Sequence, residues 1–134
     1  MKQIVLKHAV DHKPRAADFQ LIEAETPACP DGGVVVKLSH VSLDPYVGSR
    51  LRGRHMGEPA PAPGVEAIPG HGVGEIVESR SEAHRDGDVV YVMEAGWREY
   101  AAVPGAGARR IDPAGLDRAV FLSSLGMPGL TAWA

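Results

Sequence analysis

The chain has 134 residues, 44% of them hydrophobic, and a formal net charge of −3 from 14 basic and 17 acidic residues. This size and composition fit one domain with a single core, and the interspersed charges disfavour a nucleic-acid partner. Cys29 is the single cysteine, which excludes an intramolecular disulfide and favours a reducing, cytoplasmic location. No apolar run reaches the length of a signal peptide or membrane span, so we expect a soluble protein without a membrane partner.

Short runs rich in valine and isoleucine, separated by glycine and proline, predict a mainly β fold. Turn sequences precede the third and fifth runs at Asp31-Gly32-Gly33 and Arg85-Asp86-Gly87-Asp88, where glycine supplies the positive φ of a tight turn. Seven short strands are typical of a barrel or a sandwich. The predicted strands cover residues 3–9, 19–24, 34–41, 72–79, 88–93, 99–103 and 109–111.

The run at residues 41–50 places an aromatic hydroxyl, Tyr46, just after a strand that ends near a proline. The phenol either donates a hydrogen bond to a substrate oxygen or packs with its hydroxyl in water. Three arginines alternate in the segment that follows, Arg50, Arg52 and Arg54, and either steer an anionic ligand or form a solvated loop face. Prolines at 59, 61, 63 and 69 predict a long irregular loop over residues 52–69.

The glycine-rich run at residues 70–74 precedes a predicted strand, whereas a dinucleotide-binding fingerprint follows a strand and opens a helix. We therefore interpret these glycines as positions of close strand packing. With one cysteine in the chain, the six histidines indicate surface or packing roles and no metal site. His40 and His71 flank glycine-rich or turn segments, where we expect a cleft.

The sequence after Asp112-Pro113 predicts a mostly buried helix over residues 116–125, with Gly126 as its C-terminal cap. Met127-Pro128-Gly129 then turns the chain so that a new helix begins around Leu130. The last ten residues therefore resemble the entrance to a second domain. We expect the chain to be one part of a two-domain enzyme.

Four runs, at residues 43–48, 72–79, 87–90 and 125–133, occur in an order that resembles one enzyme family. They are similar to the motifs of the prostaglandin reductase, alkenal double-bond reductase and curcumin reductase branch of the medium-chain dehydrogenase/reductases. Each motif is weak alone, and the ordered set covers essentially the whole chain. The resemblance implies a GroES-like irregular β-barrel with a short C-terminal helix, here without the Rossmann domain that normally follows.

The same resemblance implies a division into a substrate-side catalytic domain at residues 1–115 and a linking helix with the start of a truncated nucleotide-binding domain at residues 116–134. It implies an NADPH-dependent oxidoreductase that reduces the carbon-carbon double bond of an enal or enone, with hydride going to the carbon β to the carbonyl. By that resemblance Tyr46 lies in the substrate-side wall. The nicotinamide side then contains Pro45, Met127, Gly129 and Thr131.

Two departures from the family pattern matter. Gly48 stands where the family commonly has arginine, which weakens the anion-steering interpretation of the following loop. Zinc-dependent relatives carry a cysteine near residue 44 and a Gly-His-Glu run, but residues 40–44 lack cysteine and Gly72 follows His71. The zinc-free branch is therefore the better match, and metal-dependent alcohol oxidation is the weaker alternative.

We expect the isolated chain to bind NADPH poorly and to be inactive, because the resemblance assigns the hydride donor to another domain. The alternative from a different class is a stand-alone β-barrel that serves as a binding or interaction module and pairs with a separately encoded nucleotide-binding domain. An exposed apolar face at the C-terminal segment would favour the enzyme fragment, because that face would pack on the other domain or form a homodimer. A clean monomer with an ordered C-terminal segment would favour the stand-alone module.

Overall fold

The computed structural model describes all residues, 1–134, and contains seven β-strands and two short α-helices. In chain order the strands are β1 (Lys2–Leu6), β2 (Phe19–Glu23), β3 (Gly33–Val41), β4 (Gly72–Ser79), β5 (Val89–Val92), β6 (Tyr100–Pro104) and β7 (Ala108–Arg110). The α-helices are α1 (Pro45–Leu51) and α2 (Met127–Trp133), and three short 3-10 helices cover Ala16–Asp18, Gly105–Gly107 and Arg118–Leu122. Neither α-helix is long and apolar enough to cross a bilayer.

The strands form two antiparallel sheets. Strands β1 and β2 make a two-stranded ribbon, and the other five lie in the order β6-β3-β4-β5-β7. The larger sheet curls into a half-barrel and contains two register shifts between β3 and β4, where bulges increase its twist. Isolated bridges from Gln3 to Arg98 and from Val5 to Ala67 join the ribbon to neighbouring segments. The predicted mainly β fold is confirmed, and each of the seven predicted strands is present with small differences at its ends.

Two apolar clusters lie on different sides of this framework. The first fills the curl of the larger sheet with eight small side chains, Val34, Val36, Ile76, Val90, Val92, Ala95, Val103 and Ala108. The second packs α1 against the β1 region and consists of Leu6, Val10, Val47, Leu51 and Ile68, with Trp97 at its edge. Burial of one such side chain contributes roughly 1.5–3 kcal/mol, so Val47 and Leu51 are the residues of α1 that anchor it to the core.

The glycines of β4 permit the close approach of its neighbours. A Cβ atom on Gly72 would lie 2.6 Å from the Cβ of Ala95, and one on Gly74 would overlap the carbonyl oxygen of Lys37. The interpretation of the glycine-rich run as close strand packing is thus confirmed. The two predicted turns also have the expected backbone, with φ of +69° at Gly32 and +89° at Gly87.

The prediction of a mostly buried helix over residues 116–125 is wrong. Only Arg118–Leu122 is helical, as a 3-10 helix without a buried residue, and Leu116 and Leu125 are 53% and 54% exposed. Asp117 rather than Asp112 caps this segment, by accepting a hydrogen bond from Ala119 N at 2.9 Å. The segment is held to the outer surface of β4 by polar contacts such as the Arg118–Glu75 ion pair at 3.2 Å, so its apolar side chains find no core to enter.

Gly126 also has a different position from the predicted one. It is the N-cap of α2, which begins at Met127 rather than near Leu130. Pro128 lies in the first turn of the helix, where a residue without an N–H group leaves no hydrogen bond unmade. The chain therefore turns directly from the 3-10 segment into the last helix.

Replacement of Gly74 by alanine tests the close approach of β3 and β4. We expect Gly74→Ala to lower the free energy of unfolding by about 1–3 kcal/mol, because the new methyl group would displace the β3 backbone. Gly48→Ala is the matched control, since nothing lies within 4 Å of its Cβ position in α1, and it should stabilise the protein by roughly 0.5–1 kcal/mol. Urea denaturation measures both; equal effects of the two substitutions would contradict this account.

Candidate active site

A cavity of about 710 Å³ lies between α1, the following loop and the start of α2. It brings together segments from the middle and the end of the chain. Four of the five residues predicted for the site line this cavity, namely Pro45, Tyr46, Met127 and Thr131. The fifth, Gly129, lies outside the lining, and a Cβ there would overlap the carbonyl oxygen of Ser124. Gly129 therefore allows the start of α2 to approach the preceding segment.

Helix α1 positions Tyr46. The sequence predicted this residue just after a strand end, and the structure shows that a helix begins there. Asp44 has extended backbone, Pro45 occupies the first turn, and no Asp44 side-chain hydrogen bond caps the helix. Val47 and Leu51 are one helical turn apart and both are buried, so the helix is anchored by that face. The Asp44-Pro45 start and this spacing are the local signal that could have revealed α1.

The phenol ring of Tyr46 is flanked by two imidazole rings. Its centroid lies 5.2 Å from that of His55 and 5.6 Å from that of His71, with interplanar angles of 44° and 43°. Burial raises the pKa of Tyr46 above the ordinary tyrosine value, and the carboxylates of Asp44 and Glu94 raise it further. The hydroxyl of Tyr46 therefore stays protonated across the physiological range and is a hydrogen-bond donor.

His71 is held at the cavity by its backbone and its ring. Its N–H donates to Ser42 Oγ at 3.0 Å, and its carbonyl accepts from Ser42 N at 2.8 Å. Its ring Nδ1 lies 2.6 Å from Tyr91 Oη, and the two rings meet edge to face at 5.6 Å. Burial raises the pKa of Tyr91, although the guanidinium of Arg109, 5.1 Å from the ring centroid, acts in the opposite direction.

The three arginines that alternate over residues 50–54 do not form a basic entrance to the cavity. Arg50 belongs to α1 and pairs with Glu58, and both line the cavity together. Arg52 and Arg54 are not among the lining residues. Asp44 and Glu94 add further acidic groups to the wall. This charge distribution favours a neutral ligand over an anionic one.

Sequence reasoning missed several residues of the cavity. His55, Met56 and Glu58 come from the irregular loop that follows α1, while Met93 and Glu94 follow the end of β5. Tyr91 reaches His71 because β5 pairs with β4 in a register that places Tyr91 opposite Val73. No local pattern encodes a cross-strand register of this kind, although the methionines beside the cavity are residues suited to an irregular apolar wall.

Other histidines have contacts away from the cavity. His8 Nε2 and His12 Nε2 lie 3.2 and 3.1 Å from the two carboxylate oxygens of the buried Asp18. His84 Nε2 lies 2.9 Å from the carbonyl oxygen of Gly105. The sequence analysis treated His8 and His12 separately and did not predict their shared partner. No group of three or more histidine, cysteine, aspartate or glutamate side chains is arranged to hold a metal ion.

Comparison with known proteins shows the family to which the chain belongs. Residues 2–111 match the family described as the N-terminal domain of oxidoreductase. The chain belongs to this family. The match covers every strand of the domain and the α1 segment that carries Tyr46. The resemblance drawn from the four sequence motifs is confirmed.

Relatives of this oxidoreductase domain are reductases of much greater length. The chain is 34% identical to the NADP(+)-dependent 2-alkenal reductase of Nicotiana tabacum, over 99% of this chain and 40% of that protein. It is 29% identical to prostaglandin reductase 1 of Rattus norvegicus, over 98% of this chain and 38% of that protein. The crystal structure of CurA from Vibrio vulnificus in complex with NADPH superimposes with a TM-score of 0.81 at 27% identity, over 99% of this chain and 39% of that chain. The chain thus spans about two fifths of the length of these relatives.

The carboxylate of Asp18 makes the free energy of unfolding of the domain depend on pH in the acid range. Its pKa lies below the ordinary aspartate value, chiefly because Arg15 N donates a hydrogen bond to it and also because of His12. A depressed folded-state pKa gives stability that is complete above the unfolded-state pKa and is lost as the pH falls through the folded-state value.

We expect Asp18→Asn to lower the free energy of unfolding near neutral pH and to flatten its decline in acid. Denaturant titrations from roughly pH 7 to pH 2 measure both effects. Asp11→Asn is the control, because the Asp11 side chain is almost fully exposed beside the same His12. An Asp18→Asn protein that loses stability in acid as steeply as the wild type would show that this carboxylate is not the source.

Proposed function

We propose that this chain is the substrate-side part of an NADPH-dependent oxidoreductase that reduces the carbon-carbon double bond of α,β-unsaturated aldehydes or ketones. Residues 1–115 would form the substrate domain, and residues 116–134 would lead into a nucleotide-binding domain. One observation carries the proposal: Tyr46 on α1 and Met127 and Thr131 on α2 line the same cavity. The names of the relatives, an alkenal reductase and a prostaglandin reductase, support the reaction class.

The cavity fits a nicotinamide ring beside a small enone. Its volume of about 710 Å³ lies in the usual range for small-molecule sites. Asp44 Oδ2 is buried without a hydrogen-bond partner in the protein, and a carboxamide N–H is a donor of the kind that would satisfy it. Pro45, Met127 and Thr131 would border the ring, with Gly129 supporting the approach of the helix. NADPH, when bound, supplies the hydride.

The side chains of this domain would hold the substrate and exclude water. Tyr46 and the methionines at 56, 93 and 127 provide an apolar wall for the alkene part of an enal. The protonated hydroxyl of Tyr46 is a polar group at this wall that can orient a carbonyl. The acidic rim disfavours carboxylate substrates, which matches a neutral aldehyde or ketone.

The chain alone is expected to oxidise no NADPH in the presence of 2-nonenal, because we propose that cofactor binding rests chiefly on a part of the longer relatives that these 134 residues do not match. Fusion to the remaining part of the Nicotiana tabacum 2-alkenal reductase is expected to give enal-dependent NADPH oxidation, followed by its absorbance. The tobacco part alone is the control for background activity.

Intrinsic NADPH fluorescence reports cofactor binding by the fusion protein independently of turnover. A fusion that binds NADPH and reduces no enal or enone would overturn the assignment of this chain as the substrate side. Turnover by the 134-residue chain alone would overturn the assignment of the cofactor site to another domain and would favour a self-sufficient module.

A further inference from the structure

His71 is held in one orientation at the cavity by its backbone and by its ring. Its backbone is tied to Ser42 through two hydrogen bonds of 2.8 and 3.0 Å. Its ring lies between Tyr46 and Tyr91, at centroid distances of 5.6 Å from each. A side chain fixed by its backbone and by two aromatic neighbours loses little further freedom when a ligand binds.

Tyr91 determines which ring nitrogen of His71 carries the proton. Tyr91 Oη makes its one hydrogen bond to His71 Nδ1, at 2.6 Å. Tyr91 Oη has no other hydrogen-bond partner in the protein, so its O–H is satisfied within the protein only when it donates and Nδ1 accepts. In a neutral imidazole whose Nδ1 accepts, the hydrogen lies on Nε2. The structure gives Nε2 no protein partner, and His71 lines the cavity, so an oriented N–H donor is left for a ligand.

We propose that His71 is a catalytic residue whose Nε2–H donates a hydrogen bond to the carbonyl oxygen of the enal or enone. This proposal rests on the proposed function. Hydride from NADPH adds to the β carbon with its two electrons and leaves NADP⁺. The π electrons of the double bond shift toward the carbonyl, whose oxygen becomes an enolate, and the α carbon takes its proton from water. His71 donates without transferring its proton, and stabilises the oxygen where negative charge develops.

The first test concerns the free chain and needs no ligand. Long-range ¹H–¹⁵N correlation spectra of neutral imidazoles distinguish the two tautomers. We expect a protonated Nε2 and an unprotonated Nδ1 at His71 in the wild type. Tyr91→Phe removes the donor to Nδ1 and should give a mixture of tautomers. A wild-type His71 with its proton on Nδ1 would overturn the proposal, whatever the function of the domain.

The second test measures the hydrogen bond to a carbonyl with 2-cyclohexenone labelled with ¹³C at its carbonyl carbon. Binding to the wild-type chain should move the carbonyl resonance downfield, as a donor polarises the bond. His71→Phe should reduce this shift and raise the Kd by about 2- to 10-fold, the equivalent of one net hydrogen bond. His71→Gln, which retains an N–H donor, should restore part of the shift.

His55→Phe is the matched comparison, because His55 also lines the cavity and packs on Tyr46. The bound probe should keep its downfield shift in this variant. An equal loss of the shift in His55→Phe and His71→Phe would overturn the assignment to His71 and leave the proposed function standing. Failure of the wild-type chain to bind the enone at any concentration tested would instead count against the proposed function and, with it, this inference.

Discussion

The antiparallel ladder between β3 and β4 is the constraint on which the site depends. Gly72 and Gly74 let the two strands approach, and the ladder extends beyond them through the hydrogen bond from Ser42 N to the His71 carbonyl. Strand β3 ends at Val41, and α1 begins at Pro45 after three intervening residues. One ladder therefore fixes both His71, at the start of β4, and the entry to the helix that carries Tyr46. The separation of these two rings follows from strand pairing rather than from a loop conformation.

The cavity and its surroundings combine neutral hydrogen-bond donors, the phenols of Tyr46 and Tyr91, with the nearby carboxylates of Asp44 and Glu94. Both phenols keep their protons because burial penalises the phenolate and Asp44 adds repulsion to each. Arg50, the basic group of the lining, pairs with Glu58. A site of this kind can polarise a neutral carbonyl without binding an anion. An oxygen that becomes negative during the reaction would meet hydrogen-bond donors that are already in place.

The parts of the fold predicted from sequence are those with a local cause. Short runs that contain valine or isoleucine give β1–β6, and the glycines at 32 and 87 supply the turn conformations. Helix α1 escaped prediction because its local signal is small: the Asp44-Pro45 start is followed by a single pair of helically spaced apolar residues, Val47 and Leu51. A buried helix was wrongly predicted over residues 116–125 because its apolar side chains fit a helical pattern. In the structure, none of these side chains is buried in the core.

The residues of the candidate site also divide into those with a local sequence signal and those without one. Tyr46, Pro45, Met127 and Thr131 were predicted through motifs, and the structure places them together at the cavity. Tyr91 was not found, because its contact with His71 depends on the register of β5 against β4 over 20 residues of sequence separation. A single sequence carries no record of which residue of one strand faces which residue of the next.

The two walls of the cavity differ in how they are held. Tyr46 is carried by a helix with Val47 and Leu51 buried, so its position is coupled to the core. Met127 and Thr131 are carried by a helix without any buried residue, and Trp133 at its end is 90% exposed. Since burial supplies most of the stability of a short helix, α2 is the element that a ligand or a docked domain would order. The wall that α1 provides, with Tyr46 on the proposed substrate side, is thus built in advance, whereas the wall that α2 provides depends on what binds to it.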